Sequence, residues 1–129
     1  MVIVDTSVII DFLRSPHREK SWFYSLQSSQ EVALPLIVHT EIYSGKSIWE
    51  NPTNRAEADL LISTTTLLAY SAQISILAGQ LKAEFGLTIT DAILAATSIV
   101  YSSPLATLNT KHFSPIPHLT LLPRKLHPL

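Results

Sequence analysis

Three acids stand where chemistry would gather in this chain: Asp5, Glu41 and Asp91. Asp5 follows directly on Val2-Ile3-Val4, a β-branched run that reads as a short buried strand. A carboxylate there is costly to bury without a partner, although a helix N-cap or an Asx turn would also use it. Glu41 falls inside the helix expected after a second strand, among apolar Ile37, Val38 and Ile42; alone, it is an ordinary solvated helix face. Asp91 opens the most hydrophobic helix of the chain, where a first-turn acid also gains from the helix dipole. Together the three are more informative. Carboxylates that converge without a counter-charge raise one another's pKa, and a divalent cation removes that cost. Hard oxygen donors with no His or Cys ligand spacing suit Mg2+ or Mn2+. Two such ions about 3.5–4 Å apart can activate a water and stabilise the leaving oxygen of a phosphodiester.

Other residues fall near the same expected edge. Thr107 and Asn109 end a fourth strand, where Asn109 orients a ligand or a water through its carbonyl, or simply forms a turn. Thr6 and Ser7 hold Asp5 or bond a phosphate; capping the next helix is the plainer role. Lys111, Arg14, Arg18 and Lys46 are the phosphate contacts on offer, and each is equally a solubilising surface charge. Trp22, Trp49, Phe12 and Tyr43 read as core or interface rather than as base-stacking platforms. His112 is expected to bond backbone.

The elements that must position these groups alternate. Strands are expected at residues 2–4, 32–35, 64–68 and 105–108, with a short edge strand at 119–122. Between them, Val8, Ile9, Phe12 and Leu13 recur at helical spacing until Ser15-Pro16 breaks the run, and Trp22, Phe23 and Leu26 mark a second amphipathic helix. Residues 36–49 read as one helix. Pro52 opens a polar helix with Leu60 and Leu61 on its inner side, residues 74–85 form a helix closed by Gly86, and a nearly all-apolar, buried helix starts near Asp91. This predicts an α/β fold: a single domain over residues 1–129, with a parallel sheet of four to five strands flanked by helices on both sides. In such sheets the functional crevice lies at the carboxyl ends of the strands, and each acid is expected at or just beyond such an end or at a helix start able to face it.

Composition sets limits. At 129 residues, 47% of them hydrophobic, the chain can bury one sizeable core. Without cysteine there is no disulfide framework and no thiolate metal site. The first residues lack a basic region ahead of a long apolar stretch, and residues 92–101 are far too short to span a bilayer, so the expectation is a soluble, cytoplasmic protein with no membrane partner. Nine Lys and Arg against ten Asp and Glu leave little basic charge for nucleic acid. Positive charge at a phosphate site would therefore come largely from bound ions. The apolar excess also predicts a homodimer with an apolar interface.

The ordered set of motifs resembles the VapC-like toxins of the PIN-domain ribonucleases. It comprises Val2-Ile3-Val4-Asp5-Thr6-Ser7, Thr40-Glu41-Ile42, Thr90-Asp91-Ala92-Ile93-Leu94-Ala95-Ala96 and Leu105-Ala106-Thr107-Leu108-Asn109-Thr110-Lys111-His112-Phe113. The pieces match in order and spacing over nearly the whole chain. The resemblance implies a Mg2+-dependent endoribonuclease, the toxin of a toxin–antitoxin pair, which forms a homodimer and is bound by a cognate antitoxin across its groove. By position, Asp5, Glu41 and Asp91 would be the metal ligands. The family often carries a further acid where this chain has Asn109 or His112, so a second ion should bind weakly here.

Rival folds fare worse. A phosphoacceptor receiver domain needs paired acids after strand one and an aspartate ending strand three, yet residues 64–71 contain no acid. A haloacid-dehalogenase-like phosphatase needs an aspartate at position 7, which is Ser7. From another functional class, a PIN-fold module that binds RNA or protein without turnover remains the alternative.

Overall fold

Val2–Val4 forms β1, and all three side chains are buried. In this computed structural model, which describes residues 1–124, β1 lies inside the sheet. It pairs in parallel with β2 (Val32–Pro35) on one side and with β4 (Leu105–Ala106) on the other, while β2 pairs in parallel with β3 (Thr66–Leu68). The order is β3-β2-β1-β4. Every residue of β1, β2 and β4 is buried. Such unbroken apolar strands belong to a parallel sheet with both faces covered. In the edge strand β3 only Leu68 is buried.

The expected fifth strand is reduced to one parallel bridge, Leu105 to Leu121. The Leu105 N–H donates to Thr120 O (2.9 Å), and the Leu122 N–H to Leu105 O (2.8 Å). Pro117, a left-handed His118 (φ 67°) and Pro123 bracket the segment and stop it from extending.

Eight helices connect and cover the described strands: α1 (Thr6–Arg14), α2 (Trp22–Ser29), α3 (Leu36–Tyr43), α4 (Lys46–Glu50), α5 (Pro52–Ser63), α6 (Ala72–Phe85), α7 (Ile89–Val100) and α8 (Thr110–Phe113). Local chemistry sets many of their ends. Ser21, Asn51, Ser71 and Thr88 accept backbone N–H bonds as N-caps. Gly86 closes α6 in the left-handed conformation (φ 66°), where a β-carbon would be strained. Helix α7 buries residues 94–98 without a break and packs on α6 and α3. Among the described residues no helix is long and apolar enough to cross a membrane.

Four details depart from the sequence reading. The helix expected over residues 36–49 is two. The Ser44 hydroxyl donates to Glu41 O (2.6 Å), and extended Gly45 (φ −67°, ψ 125°) breaks the helix before α4. Leu60 is 69% exposed, because Ala58 and Leu61, three residues apart, form the inner face. Strand β3 starts at Thr66, since the Thr64 and Thr65 hydroxyls close α5 on Leu61 O and Ile62 O. Strand β4 ends at Ala106, after which Thr107 turns to the site. Of the two tryptophans, Trp22 enters the core and Trp49 stays 64% exposed.

Candidate metal-binding active site

Asp5 occupies the N-cap position of α1 in an extended conformation (φ −74°, ψ 154°), yet its side chain caps nothing. Its Oδ2 instead accepts from the Thr107 hydroxyl (2.6 Å) and the Ser7 hydroxyl (3.2 Å). The cause is the sheet. Because β1 and β4 are neighbours in register, the Asp5 N–H continues the ladder to Ala106 O (2.9 Å), and the chain leaving β4 meets the chain leaving β1. Ser7 Oγ accepts from the Leu108 N–H (3.1 Å), which fastens the two loops together, and within the second loop Thr107 Oγ1 accepts from the Asn109 N–H (3.0 Å). Asp5 is only 6% exposed. A buried carboxylate with such partners is a placed group, not a solvated cap.

Glu41 arrives from α3, the helix that follows β2 without a loop. Its Oε1 accepts from the Thr6 hydroxyl (2.9 Å). Burial pushes its pKa above the ordinary value, the charges of Asp5 and Asp91 push it further, and the Thr6 bond partly opposes them. Glu41 therefore sits in the field of both aspartates. Asp91, in the first turn of α7, takes the Thr88 cap on its backbone N–H (3.2 Å), and its Oδ2 lies 3.1 Å from His112 Nδ1 on α8. The three acids thus share one side of the sheet, around the carboxyl ends of β1 and β4 and the helix after β2, as the crevice rule requires.

The family model described as PIN domain matches residues 2–118, almost the whole of the described chain. The chain belongs to the PIN-domain family. It is 31% identical over 130 residues to the curated "Ribonuclease VapC" of Rickettsia bellii, spanning 94% of each protein. Among solved structures it is similar to a toxin–antitoxin complex from Klebsiella pneumoniae, with a TM-score of 0.76 and 26% identity over 93% of this chain and 96% of that one. It also shares the fold of VapBC2 from Rickettsia felis bound to a fragment of its promoter DNA, with a TM-score of 0.77 and 21% identity over 95% and 98% of the two chains.

In this PIN domain the donor chemistry suits a hard divalent ion: three carboxylates, two of them raising the pKa of the third, with hydroxyl partners behind them. The spacing is looser. Among the described residues no three Asp, Glu or His side chains converge closely enough to hold an ion as they stand. Each carboxylate instead engages its own protein partner: Asp5 with Thr107 and Ser7, Glu41 with Thr6, and Asp91 with His112. The residues fit the ion in type.

The remaining candidates divide. Thr6, Ser7 and Thr107 are joined to the acids by hydrogen bonds. Asn109 is exposed and engaged only through its backbone, by its N–H to Thr107 and by its carbonyl from the His112 N–H; its side chain has no hydrogen-bond partner among the described residues. Lys111 is exposed on α8 beside His112. Arg18 is committed to Glu57 (2.7 Å) and to the face of Phe12, and Lys46 to Glu50 (3.6 Å). Arg14 lines a cleft of about 190 Å³ next to Glu41, with Ile10, Leu13 and Ile48. His112 is the residue the sequence reading undervalued: it meets a carboxylate rather than backbone. Its place in the last motif was the available signal.

The raised Glu41 pKa makes a prediction. Between the ordinary value of about 4.5 and the higher folded value, the folded state binds more protons than the unfolded one, so metal-free stability falls as pH rises through that window. Glu41→Gln keeps an oxygen for Thr6 and removes the charge. The metal-free variant should melt above the parent at pH 7, and thermal melts should show the gap closing at and below pH 4.5.

Proposed function

We propose that this PIN domain, one unit over residues 1–129, is a Mg2+- or Mn2+-dependent endoribonuclease and the toxin of a toxin–antitoxin pair. One observation carries the reading: Glu41 is partly buried beside Thr6 and lies in the combined field of Asp5 and Asp91, a gathering of negative charge that a cation would offset. Asp5, Glu41 and Asp91 hold the ion. When bound, it eases the ionisation of a water and neutralises the oxygen leaving the phosphodiester. Thr107 orients Asp5 and, with Asn109, borders the position of the attacked phosphate. Thr6 and Ser7 keep Glu41 and Asp5 turned toward it, and Lys111 offers charge at the rim. A net charge of −1 leaves this local arrangement, not a basic surface, to attract RNA.

The named relatives support the partner assignment: a cognate antitoxin that covers the groove of a cytoplasmic toxin. Exposed Trp49, Leu60 and Ile76 support a homodimer. Light scattering at on the order of tens of micromolar should give twice the chain mass, and a monomer there would overturn the assembly.

Purified protein freed of antitoxin should cleave total cellular RNA with Mg2+ or Mn2+ and stop when EDTA is added. Cleavage that persists in EDTA refutes the mechanism. The loose spacing of the acids favours one other reading, a PIN-fold module that binds RNA or protein without turnover. It predicts no cleavage with any metal.

A further inference from the structure

Each carboxylate of the cluster has one oxygen engaged and one free. Asp5 Oδ2 accepts from Thr107 and Ser7, Glu41 Oε1 from Thr6, and Asp91 Oδ2 meets His112. Asp5 Oδ1, Glu41 Oε2 and Asp91 Oδ1 have no hydrogen-bond partner among the described residues. A carboxylate rotates easily about its last bond, so a donor fixed on one oxygen decides where the other points. At Asp5 and Glu41 that donor is a hydroxyl; at Asp91 it is an imidazole. An ionised carboxylate only accepts, so the contact is a hydrogen bond in the tautomer that carries its proton on Nδ1.

We propose that His112 is a positioning residue of the metal site, holding Asp91 by Oδ2 so that Oδ1 serves as the ligand atom. The inference rests on the metal-dependent reading above. The backbone supports it. Helix α8 has only four residues, but Phe113 beside His112 is buried, the His112 N–H is bonded to Asn109 O (3.1 Å), and α8 packs on α7. An imidazole N–H also orients Asp91 without adding negative charge beside Glu41, whose pKa burial and then the two aspartates already raise. A carboxylate at position 112 would repel Asp91 in the metal-free protein.

The test is Mn2+ binding by the whole protein, followed by electron paramagnetic resonance, with no turnover needed. His112→Ala should bind Mn2+ about 10- to 100-fold more weakly, the usual cost of losing an outer partner of a ligand. His112→Asn, whose amide N–H can stand near the place of Nδ1, should recover most of that loss. On an Asp91→Asn background His112→Ala should add little, because residues acting through one contact are not additive. Melting of the metal-free protein should stay close to the parent, since the His112 side chain is more than half exposed. Parent-like affinity in His112→Ala overturns the proposal. So does equal weakness in the Ala and Asn variants, or a full additional loss on the Asp91→Asn background. A parent that binds no Mn2+ overturns the metal reading itself, and this inference with it.

Discussion

Asp5→Asn and Asp91→Asn are each expected to reduce metal-dependent RNA cleavage by about two to three orders of magnitude, because a bound ion supplies several kcal/mol of charge stabilisation and each ~1.4 kcal/mol is tenfold in rate. The substitutions keep shape. An Asn at position 5 still offers an oxygen to Thr107 and Ser7, so the stitch between the loops after β1 and β4 survives. Relief of repulsion should leave the metal-free variants as stable as the parent or more so. Cleavage rates and melting curves from the same preparations check both halves. Unchanged cleavage in either variant sinks the assignment of the acids, and a collapsed fold would show that Asp5 or Asp91 is needed for structure instead.

Phe113→Ala is expected to cost about 3–5 kcal/mol of stability, the range for deleting a buried aromatic side chain. Phe113 is 1% exposed and is the only buried residue of α8. A helix of that length has no stability of its own in water, so this ring anchors it. Since α8 carries His112 and Lys111, Mn2+ affinity should fall as well, and chemical denaturation with metal titration would show both effects. A denaturation midpoint close to the parent's would mean that the loop after β4 is held by Thr107 and Asn109 rather than by the core.

The strands were legible because parallel, doubly buried strands are nearly pure runs of apolar residues, and Val2-Ile3-Val4 and Val32-Ala33-Leu34 are such runs. The caps at Ser71 and Gly86 were also local matters, decided by side-chain and backbone chemistry within a few residues. Errors came where a local signal was ambiguous. Leu60 and Leu61 are equally apolar, and only the rotation of α5 against the core chooses between them. The break at Ser44-Gly45 depends on a hydroxyl taking a carbonyl from the helix ladder, which neither residue type guarantees.

By itself the sequence determined the α/β alternation, the four main strands and the three acids worth watching, because periodicity, β-branching and charge act over short stretches of chain. It also left Asp5 open as a helix cap and Glu41 as a wet helix face. Only the tertiary structure decided between those roles. The order β3-β2-β1-β4 sets β4 against β1, and so a hydroxyl 102 positions away takes the Asp5 carboxylate. The packing of α3 and α7 brings Glu41 into the field of Asp5 and Asp91, and α8 against α7 brings His112 to Asp91. Those contacts depend on distances through space between segments far apart in the chain, and no local pattern of residues encodes such distances.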